Sequence, residues 1–395
     1  MKKNNLLFTF IAFSASASLL AGCGQTAVTK VQMTFGSLYD TSLSGTDHFL
    51  ALSAHSDLEA KVTDKENFVL VVLPKDLGCT CWANFCSTIN RYQKNKNLLI
   101  YSIESTQFDD SSVSKFNLNI NAHLATIAIF ENGAAKYQQT ADGTSDSFAK
   151  DYTVFADWMS ARLSLSNMLY VSKTQMEGLY KGTTPFTLGF VRGSCGDCSY
   201  VAHNFLKTYN AIEHNVSYLI DCDVEGIRYY NGSKPSNKET ATADQKAAYQ
   251  QWQTFKDDYG LSKLYDKDFG FDTGYVPMWV HCNPAANTET KPWGAIDDAD
   301  VYVNDTLTKK DETTYEITNT YFDSTREAVL PFLSDKDALA KGGCTTTIIK
   351  GITVGPLQVD VDPDDPTTAY WKHEYAAKVH DPLLKSFFEK YIAMK

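Results

Sequence analysis

The sequence predicts an α/β protein of two successive domains, each with a central mixed sheet flanked by helices, the second carrying long insertions. The chain has 395 residues, 43% of them hydrophobic, which is enough to bury a core in each of two or three domains. A buried strand, a group of cysteines and a helix follow one another in one segment of the chain and again in a later one. This repeated order indicates an internal duplication of one β-α-β unit.

The first domain is predicted to span residues 46–166. Its apolar run Phe68–Leu73 is typical of a strand that is buried on both faces. The expected elements are strand 67–73, helix 84–93, strands 98–103 and 125–130, a turn at 131–133 and an amphipathic helical stretch at 148–163. Together they form one sheet with its helices.

The second domain is predicted to span residues 167–395 and to repeat this order. The expected elements are strand 185–192, helix 201–209, strand 216–220, an inserted helix at 245–259, a short strand at 276–280 and a C-terminal helix that starts at Asp381-Pro382. The connection between residues 220 and 277 is too long for a plain loop, so we expect an insertion that packs close to the cysteines of this domain.

Charge and motif content exclude several classes of function. The net charge is −11 and no concentrated basic patch occurs, so nucleic acid is not an expected partner. The eight histidines show no metal or catalytic-triad spacing, and no glycine-rich phosphate loop is present. Hydrolase and nucleotide-binding functions therefore have no support in the sequence.

The N-terminus indicates an export signal. Lys2 and Lys3 precede an apolar stretch from Leu6 to Leu20, followed by the small-residue cleavage sequence LAGC, which ends at Cys23. This order resembles the lipobox of bacterial lipoproteins. The alternatives are an ordinary secretory signal or an uncleaved membrane helix, for which the stretch is short and rich in serine and threonine.

The lipoprotein resemblance implies how the chain is anchored. Residues 1–22 would be a cleaved signal peptide, Cys23 would carry acyl chains such as palmitate on its thiol, and residues 23–45 would form a tether. The protein would then lie on the extracytoplasmic face of the cell membrane and touch the membrane through its lipid anchor only. Disulfides can form and persist in that compartment.

The cysteines of the second domain suggest redox chemistry. Cys195 and Cys198 form a C-x-x-C pair between a predicted strand and a predicted helix, and Val276-Pro277 opens a later strand. This combination resembles the thioredoxin superfamily, over most of residues 46–395 apart from the insertions. The resemblance implies that Pro277 is cis, faces the dithiol and, with Val276, shapes the groove for an extended substrate.

A thiolate at Cys195 would be stabilised by backbone N–H groups and by the dipole of the helix N-terminus. Cys195 is therefore the expected attacking cysteine and Cys198 the resolving one. Arg192 favours ionisation and Asp197 opposes it, so the sequence does not settle the direction of the pKa shift. The alternatives are a static disulfide or half of a zinc site.

Two positions depart from the family. Gly189 stands where many thioredoxins carry a proton-relaying acid, and Ser194 stands where a tryptophan usually precedes the first cysteine. Both changes suggest slower or different exchange chemistry.

The first domain departs further and is interpreted as degenerate. Cys79 and Cys81 are separated by one residue, so a disulfide between them would be strained and easily reduced, with Cys86 as an alternative partner for either one. Ala125 stands where the family's cis-proline is expected. His123 offers an alternative reading, a zinc site of three cysteines and one histidine. No other cofactor than a redox-active disulfide is expected.

Three cysteines remain. Under the thioredoxin topology Cys222 and Cys282 lie at opposite ends of the sheet, so a bridge between them is not expected and Cys222 should be a buried free thiol. Cys344 could meet Cys282.

Two functions follow as hypotheses. The first is a membrane-tethered thiol-disulfide oxidoreductase that acts on exported protein thiols through Cys195 and Cys198 and is recycled by an unidentified redox partner. The alternative is a non-catalytic surface lipoprotein that binds a peptide or protein on a thioredoxin scaffold.

Overall fold

A computed structural model provides the structure of the chain. It describes residues 28–193, 195–209, 214–227, 240–263, 265–266, 271–272, 276–287, 293–296, 308–309, 314–317, 320–330, 346–349, 352–355, 360–361, 369–370 and 373–393. The predicted signal peptide and Cys23, the predicted lipidation site, lie outside these ranges, as do Ser194 and Cys344. In the ranges given, no helix has the length and apolar character needed to cross a membrane.

The N-terminal segment belongs to the folded body from residue 31 onward. Strand β1 (Val31–Gln32) pairs in parallel with residues 163–164, and β2 (Gly36–Ser37) pairs in parallel with residues 169–170. Val31 and Met33 are 0% and 2% exposed. A tether over 23–45 does not describe this part of the chain, because its alternating apolar residues are buried by strand pairing.

The first unit contains a mixed sheet, as predicted, with five strands, three of which were expected. Its strands are β3 (Leu50–Ala51), β4 (Phe68–Leu73), β5 (Ile100–Glu104), β6 (Ala125–Glu131) and β7 (Ala134–Ala141), in the order β3-β5-β4-β6-β7. The first three are parallel, whereas β6 runs antiparallel to β4 and β7 antiparallel to β6. Strand β7, which follows the predicted turn, was not expected from the sequence.

Helices cover both faces of this sheet. They are α1 (His55–Thr63), α2 (Thr80–Lys96), α3 (Asp110–Phe116), α4 (Ser147–Lys150) and α5 (Tyr152–Ser160). Alternate residues of β4 enter two cores: Val69 and Val71 pack in a cluster with Phe85 of α2, while Leu70 packs in a cluster with Leu58 of α1. The continuous apolar run of β4 therefore reflects burial on both faces.

The second unit has a seven-stranded mixed sheet. Among the described residues, the strands that follow are β8 (Leu163–Ser164), β9 (Met168–Tyr170), β10 (Phe186–Val191), β11 (Ser217–Asp221), β12 (Tyr265–Asp266), β13 (Phe271–Asp272), β14 (Met278–Cys282), β15 (Thr308–Lys309), β16 (Thr314–Ile317), β17 (Thr320–Phe322), β18 (Arg326–Val329), β19 (Thr346–Ile349), β20 (Ile352–Gly355), β21 (Asp360–Val361) and β22 (Ala369–Tyr370). The sheet order is β17-β18-β14-β10-β11-β9-β2, with β10 parallel to β11 and antiparallel to β14. Strands β15, β16, β19 and β20 form a separate sheet within an insertion.

Helices also flank this second sheet. They are α6 (Lys173–Lys181), α7 (Gly196–Tyr200), a π-helical segment (Val201–Leu206), α8 (Lys207–Tyr209), α9 (Ala243–Tyr259) and α10 (His373–Tyr391). One core contains Leu206 and Phe388, and the other contains Trp252 and Phe255. The predicted α/β architecture of two successive units, each a mixed sheet flanked by helices, is thereby confirmed.

The start of the C-terminal helix differs from the prediction. The helix begins at His373, so Pro382 lies inside it and Asp381 is no N-cap; the Asp381 carboxylate instead accepts a hydrogen bond of 3.3 Å from the Tyr200 hydroxyl. A proline inside a helix removes one backbone donor. Burial of the apolar side chains that follow, including Leu384 and Phe388, outweighs this loss.

Candidate active site

The C-x-x-C pair lies at the junction between β10 and α7. Cys195 is the N-cap residue of α7, and its Sγ accepts a hydrogen bond of 3.4 Å from the backbone N–H of Cys198. Both cysteines are free thiols. The predicted position at the end of a buried strand and the start of a helix is therefore observed, and the backbone N–H groups of the first turn point at the sulfur.

The two thiols have unequal surroundings. Cys195 is half-buried, whereas Cys198 is 6% exposed and its Sγ accepts a hydrogen bond of 3.4 Å from the backbone N–H of Arg192. A hydrogen bond with the Cys198 side chain, reinforced by backbone N–H groups, lowers the pKa of Cys195 to about 7, although burial opposes this shift. Burial raises the pKa of Cys198. The outer thiol is thus the one that ionises first.

Arg192 and Asp197, the charged residues next to the dithiol, differ in their effect on the pKa of Cys195. The Arg192 guanidinium pairs with Asp223, with Nε 3.3 Å from Oδ1. Asp197 raises the pKa of Cys195, as expected for a like charge, but by less than the hydrogen bonds lower it. The structure therefore settles the direction of the shift that the sequence leaves open.

The backbone of Val276 lies beside the outer thiol. The Val276–Pro277 peptide bond is cis, as the family resemblance implies, and Sγ of Cys195 lies 3.6 Å from the carbonyl oxygen of Val276. Pro277 is buried and immediately precedes β14. The Val276 carbonyl is therefore a backbone hydrogen-bond acceptor beside the thiol that ionises.

Iodoacetamide alkylation should report the lowered pKa of Cys195. Because only the thiolate reacts, we expect the rate to fall about tenfold per pH unit below pH 7 and to level off above it. Cys86, which is buried and whose pKa is raised to about 11, should stay unlabelled over the same range. A rate for Cys195 that keeps rising to pH 9 would contradict the assignment.

Trp279 explains the missing acid at position 189. A Cβ on Gly189 would lie 2.6 Å from Nε1 of Trp279 and 2.7 Å from Cδ2 of Leu219. Trp279 is fully buried, so the indole occupies the space that a longer side chain would need. Glycine at position 189 of β10 therefore makes room for the indole of Trp279 on the adjacent strand β14, and this packing accounts for the absence of the acid.

A carboxylate that sequence reasoning missed lies near the dithiol. Asp221 pairs with Val191 in the ladder between β11 and β10, and burial raises the pKa of its carboxyl. The carboxylate accepts hydrogen bonds from the backbone N–H groups of Asp223 and Val224. Its position at the end of the neighbouring parallel strand is the signal that could have identified it.

In the first unit, two of the three clustered cysteines form a disulfide. Cys79 and Cys81 are bridged, with their Cα atoms 5.3 Å apart at the start of α2. Cys86 is a buried free thiol beside Asn90, and burial raises its pKa to about 11. The alternative in which Cys86 pairs with either neighbour is not what the structure shows, because its side chain is buried on a different part of the helix.

The alternative zinc site of the first unit is not assembled. The bridged sulfurs of Cys79 and Cys81 are not available as thiolates, and His123 is exposed, with its backbone N–H bonded to the side chain of Asn121. Ala125, at the position of the family's cis-proline, begins β6 with a trans peptide bond. This unit therefore lacks the arrangement seen around Cys195.

The remaining cysteines follow the expected topology. Cys222 and Cys282 are buried free thiols. Cys222 donates its backbone N–H to Val191 at the end of β10, whereas Cys282 lies opposite Phe186 at the start of that strand. They sit at opposite ends of the sheet, as predicted, while the suggested partner Cys344 lies outside the described residues.

A cavity of about 860 Å³ lies between the two units. Cys198, Tyr170 and Trp279 are among the residues that line it. Sequence reasoning did not identify this cavity, because its walls come from segments more than a hundred residues apart.

Comparisons with known proteins give distant structural similarities only. No protein-family model and no curated protein matches the chain. Among solved structures, it is similar to a protein with a thioredoxin fold (19% identity, TM-score 0.22, covering 29% of this chain and 96% of the other). It is also similar to human ERp44 form II (11% identity, TM-score 0.21, covering 45% of this chain and 44% of the other). A third similar structure is the bb fragment of ERp72 (9% identity, TM-score 0.21, covering 53% of this chain and 96% of the other). The chain thus spans under half of ERp44, and scores this low carry no argument about activity.

Proposed function

We propose that this chain is a thiol-disulfide oxidoreductase whose reactive groups are Cys195 and Cys198. The observation that carries the proposal is the inequality of the two thiols at one helix N-terminus. The outer one has a pKa lowered to about 7 and faces the Val276 carbonyl, while the inner one is buried. A static structural pair would not need one thiol that ionises near neutral pH.

The exchange reaction balances with these two residues. The Cys195 thiolate attacks a substrate disulfide, forming a mixed disulfide and releasing one substrate thiolate. Cys198 then loses its proton and attacks Sγ of Cys195, which forms the Cys195–Cys198 disulfide and releases the second substrate thiolate. Two electrons pass to the substrate, and the reverse sequence oxidises it.

The substrate class and location extend the same proposal. We assign substrate binding to Val276 and Pro277: the Val276 carbonyl oxygen, 3.6 Å from Sγ of Cys195, is a backbone acceptor beside the reactive thiol, which supports exported protein thiols or peptides as substrates. The lipobox at Cys23 supports a lipid anchor on the extracytoplasmic face of the cell membrane, with a separate redox partner that restores the dithiol or disulfide.

A non-catalytic role is the second candidate. The observation that favours it is the packing of Trp279 over Gly189, which leaves no acid at the family's proton-relay position. Under this alternative the scaffold binds a peptide or protein, and its cysteines only maintain structure.

Equilibration in graded glutathione buffers tests the proposal. After trapping of free thiols and mass-spectrometric mapping, we expect Cys195 and Cys198 to interconvert together, with a midpoint between about −120 and −270 mV, the range of exchange-active pairs. Cys222 and Cys282, both buried and at opposite ends of the sheet, should remain thiols throughout. A pair that stays oxidised in every buffer, or never oxidises, would support the binding role.

A further inference from the structure

Three potential metal ligands converge where the two units meet. One ligand atom from each of Asp64, Glu66 and His203 lies within 4.8 Å of the others, the only such group of three among the described residues. Nε2 of His203 is 3.8 Å from a carboxylate oxygen of Asp64. None of the three takes part in the dithiol site.

The two units each contribute to this cluster. Asp64 and Glu66 flank Lys65, whose φ of 54° turns the chain sharply between α1 and β4. His203 comes from the π-helical segment that follows Cys198, and π-helical turns occur often at functional sites. The ammonium of Lys207 donates a 2.8 Å hydrogen bond to the carbonyl oxygen of Lys65, which holds the units together at this point. The three ligands therefore meet only when the units are docked.

The surrounding cavity is lined by more carboxylates than cationic side chains. Asp64, Glu66 and His203 all line the cavity between the units, together with five further carboxylates and two permanent cations, namely Asp40, Asp47, Asp57, Asp221, Glu225, Lys61 and Arg192. Seven carboxylates against two cations leave an excess of negative charge in a concave region. Such a region raises the local concentration of cations.

We propose that Asp64, Glu66 and His203 form an interdomain site for a divalent cation of the zinc type. One imidazole nitrogen and two carboxylate oxygens make a mixed ligand set that zinc accepts, with its remaining coordination filled by water or a ligand. Magnesium prefers oxygen ligands alone and should bind more weakly. Because both units supply ligands, the cation stabilises their docking.

Lys61 competes for one of the ligands. Its ammonium lies 3.1 Å from Oε2 of Glu66 and 3.9 Å from the centre of the Tyr101 ring. A cation at the site must share Glu66 with this ammonium and is repelled by it. Removing the Lys61 charge should therefore strengthen cation binding, an effect opposite to that of removing a ligand.

Calorimetric titration with zinc tests the site. The full chain carrying Cys195→Ser and Cys198→Ser serves as the parent, because free thiolates also bind zinc. We expect binding of one zinc ion, a dissociation constant at least tenfold weaker in His203→Ala and in Asp64→Asn, and a tighter one in Lys61→Met. The matched control His123→Ala changes an exposed histidine outside the cluster and should leave the affinity unchanged.

Several outcomes would overturn the site: an unchanged affinity in His203→Ala, no tightening in Lys61→Met, or magnesium binding as tight as zinc. Thermal unfolding with and without zinc distinguishes a lost ligand from a misfolded variant. His203→Gln has a similar polar shape, so it should keep the melting temperature of the metal-free parent. It should lose the increase in melting temperature that zinc produces in the parent. The Cys195–Cys198 dithiol is absent from this experiment, so its outcome is independent of the proposed exchange activity.

Discussion

Replacing Cys195 by serine is expected to reduce disulfide exchange by about a thousandfold or more, because no other described cysteine combines exposure with a lowered pKa. A serine hydroxyl neither ionises near pH 7 nor attacks a disulfide. The measurement is the rate at which the reduced protein cleaves a fluorogenic peptide disulfide under pseudo-first-order conditions.

The matched variant is Cys198→Ser, which removes the resolving thiol and leaves the attacking one. It should react once and accumulate a mixed disulfide at Cys195, visible as a mass increase equal to the substrate half. Cys86→Ala, which changes a buried thiol in the other unit, should leave the rate unchanged. Equal rates in the Cys195→Ser and unmodified proteins would exclude the proposed chemistry.

Introducing the family's acid by Gly189→Asp is expected to destabilise the second unit by about 3 kcal/mol or more. The new Cβ would lie 2.6 Å from Nε1 of Trp279 and 2.7 Å from Cδ2 of Leu219, both in a closed core. Burying an unpaired carboxylate adds a further cost to this steric one. Denaturant unfolding followed by tryptophan fluorescence measures the loss.

Gly178→Ala provides the comparison. A Cβ at this position in α6 meets no atom within 4 Å, so this variant should be stabilised by about 0.5–1 kcal/mol through helix propensity alone. If Gly189→Asp instead kept full stability and accelerated exchange, position 189 would be open to an acid, and the packing explanation would be wrong.

The strand and dithiol positions were predictable because they depend on local patterns. The buried strands β4 and β10 appear as continuous apolar runs, and the C-x-x-C spacing places Cys195 at a helix N-terminus. The cis peptide before Pro277 followed from resemblance to a family rather than from any local rule. Knowledge of that topology also placed Cys222 and Cys282 at opposite ends of the sheet.

Boundaries and pairing partners were harder to predict. The short strands β1 and β2 bring residues 31–37 into the folded body, although their segment has the composition of a tether. Their partners lie more than a hundred residues away, so nothing adjacent in the chain marks them. Likewise, Pro382 satisfies a local helix-start pattern, yet the helix extends through it because the apolar face that follows is buried.

The sequence by itself determined the fold class, the repeated unit and which residues could carry redox chemistry, because periodicity and spacing are properties of neighbouring residues. Only the tertiary structure decided which thiol ionises, since the pKa values of Cys195 and Cys198 depend on burial and on hydrogen bonds that folding creates. It also decided that Trp279 fills the space over Gly189 and that Asp64, Glu66 and His203 meet. These contacts join residues far apart in the chain, and their energies arise only when the two units have packed.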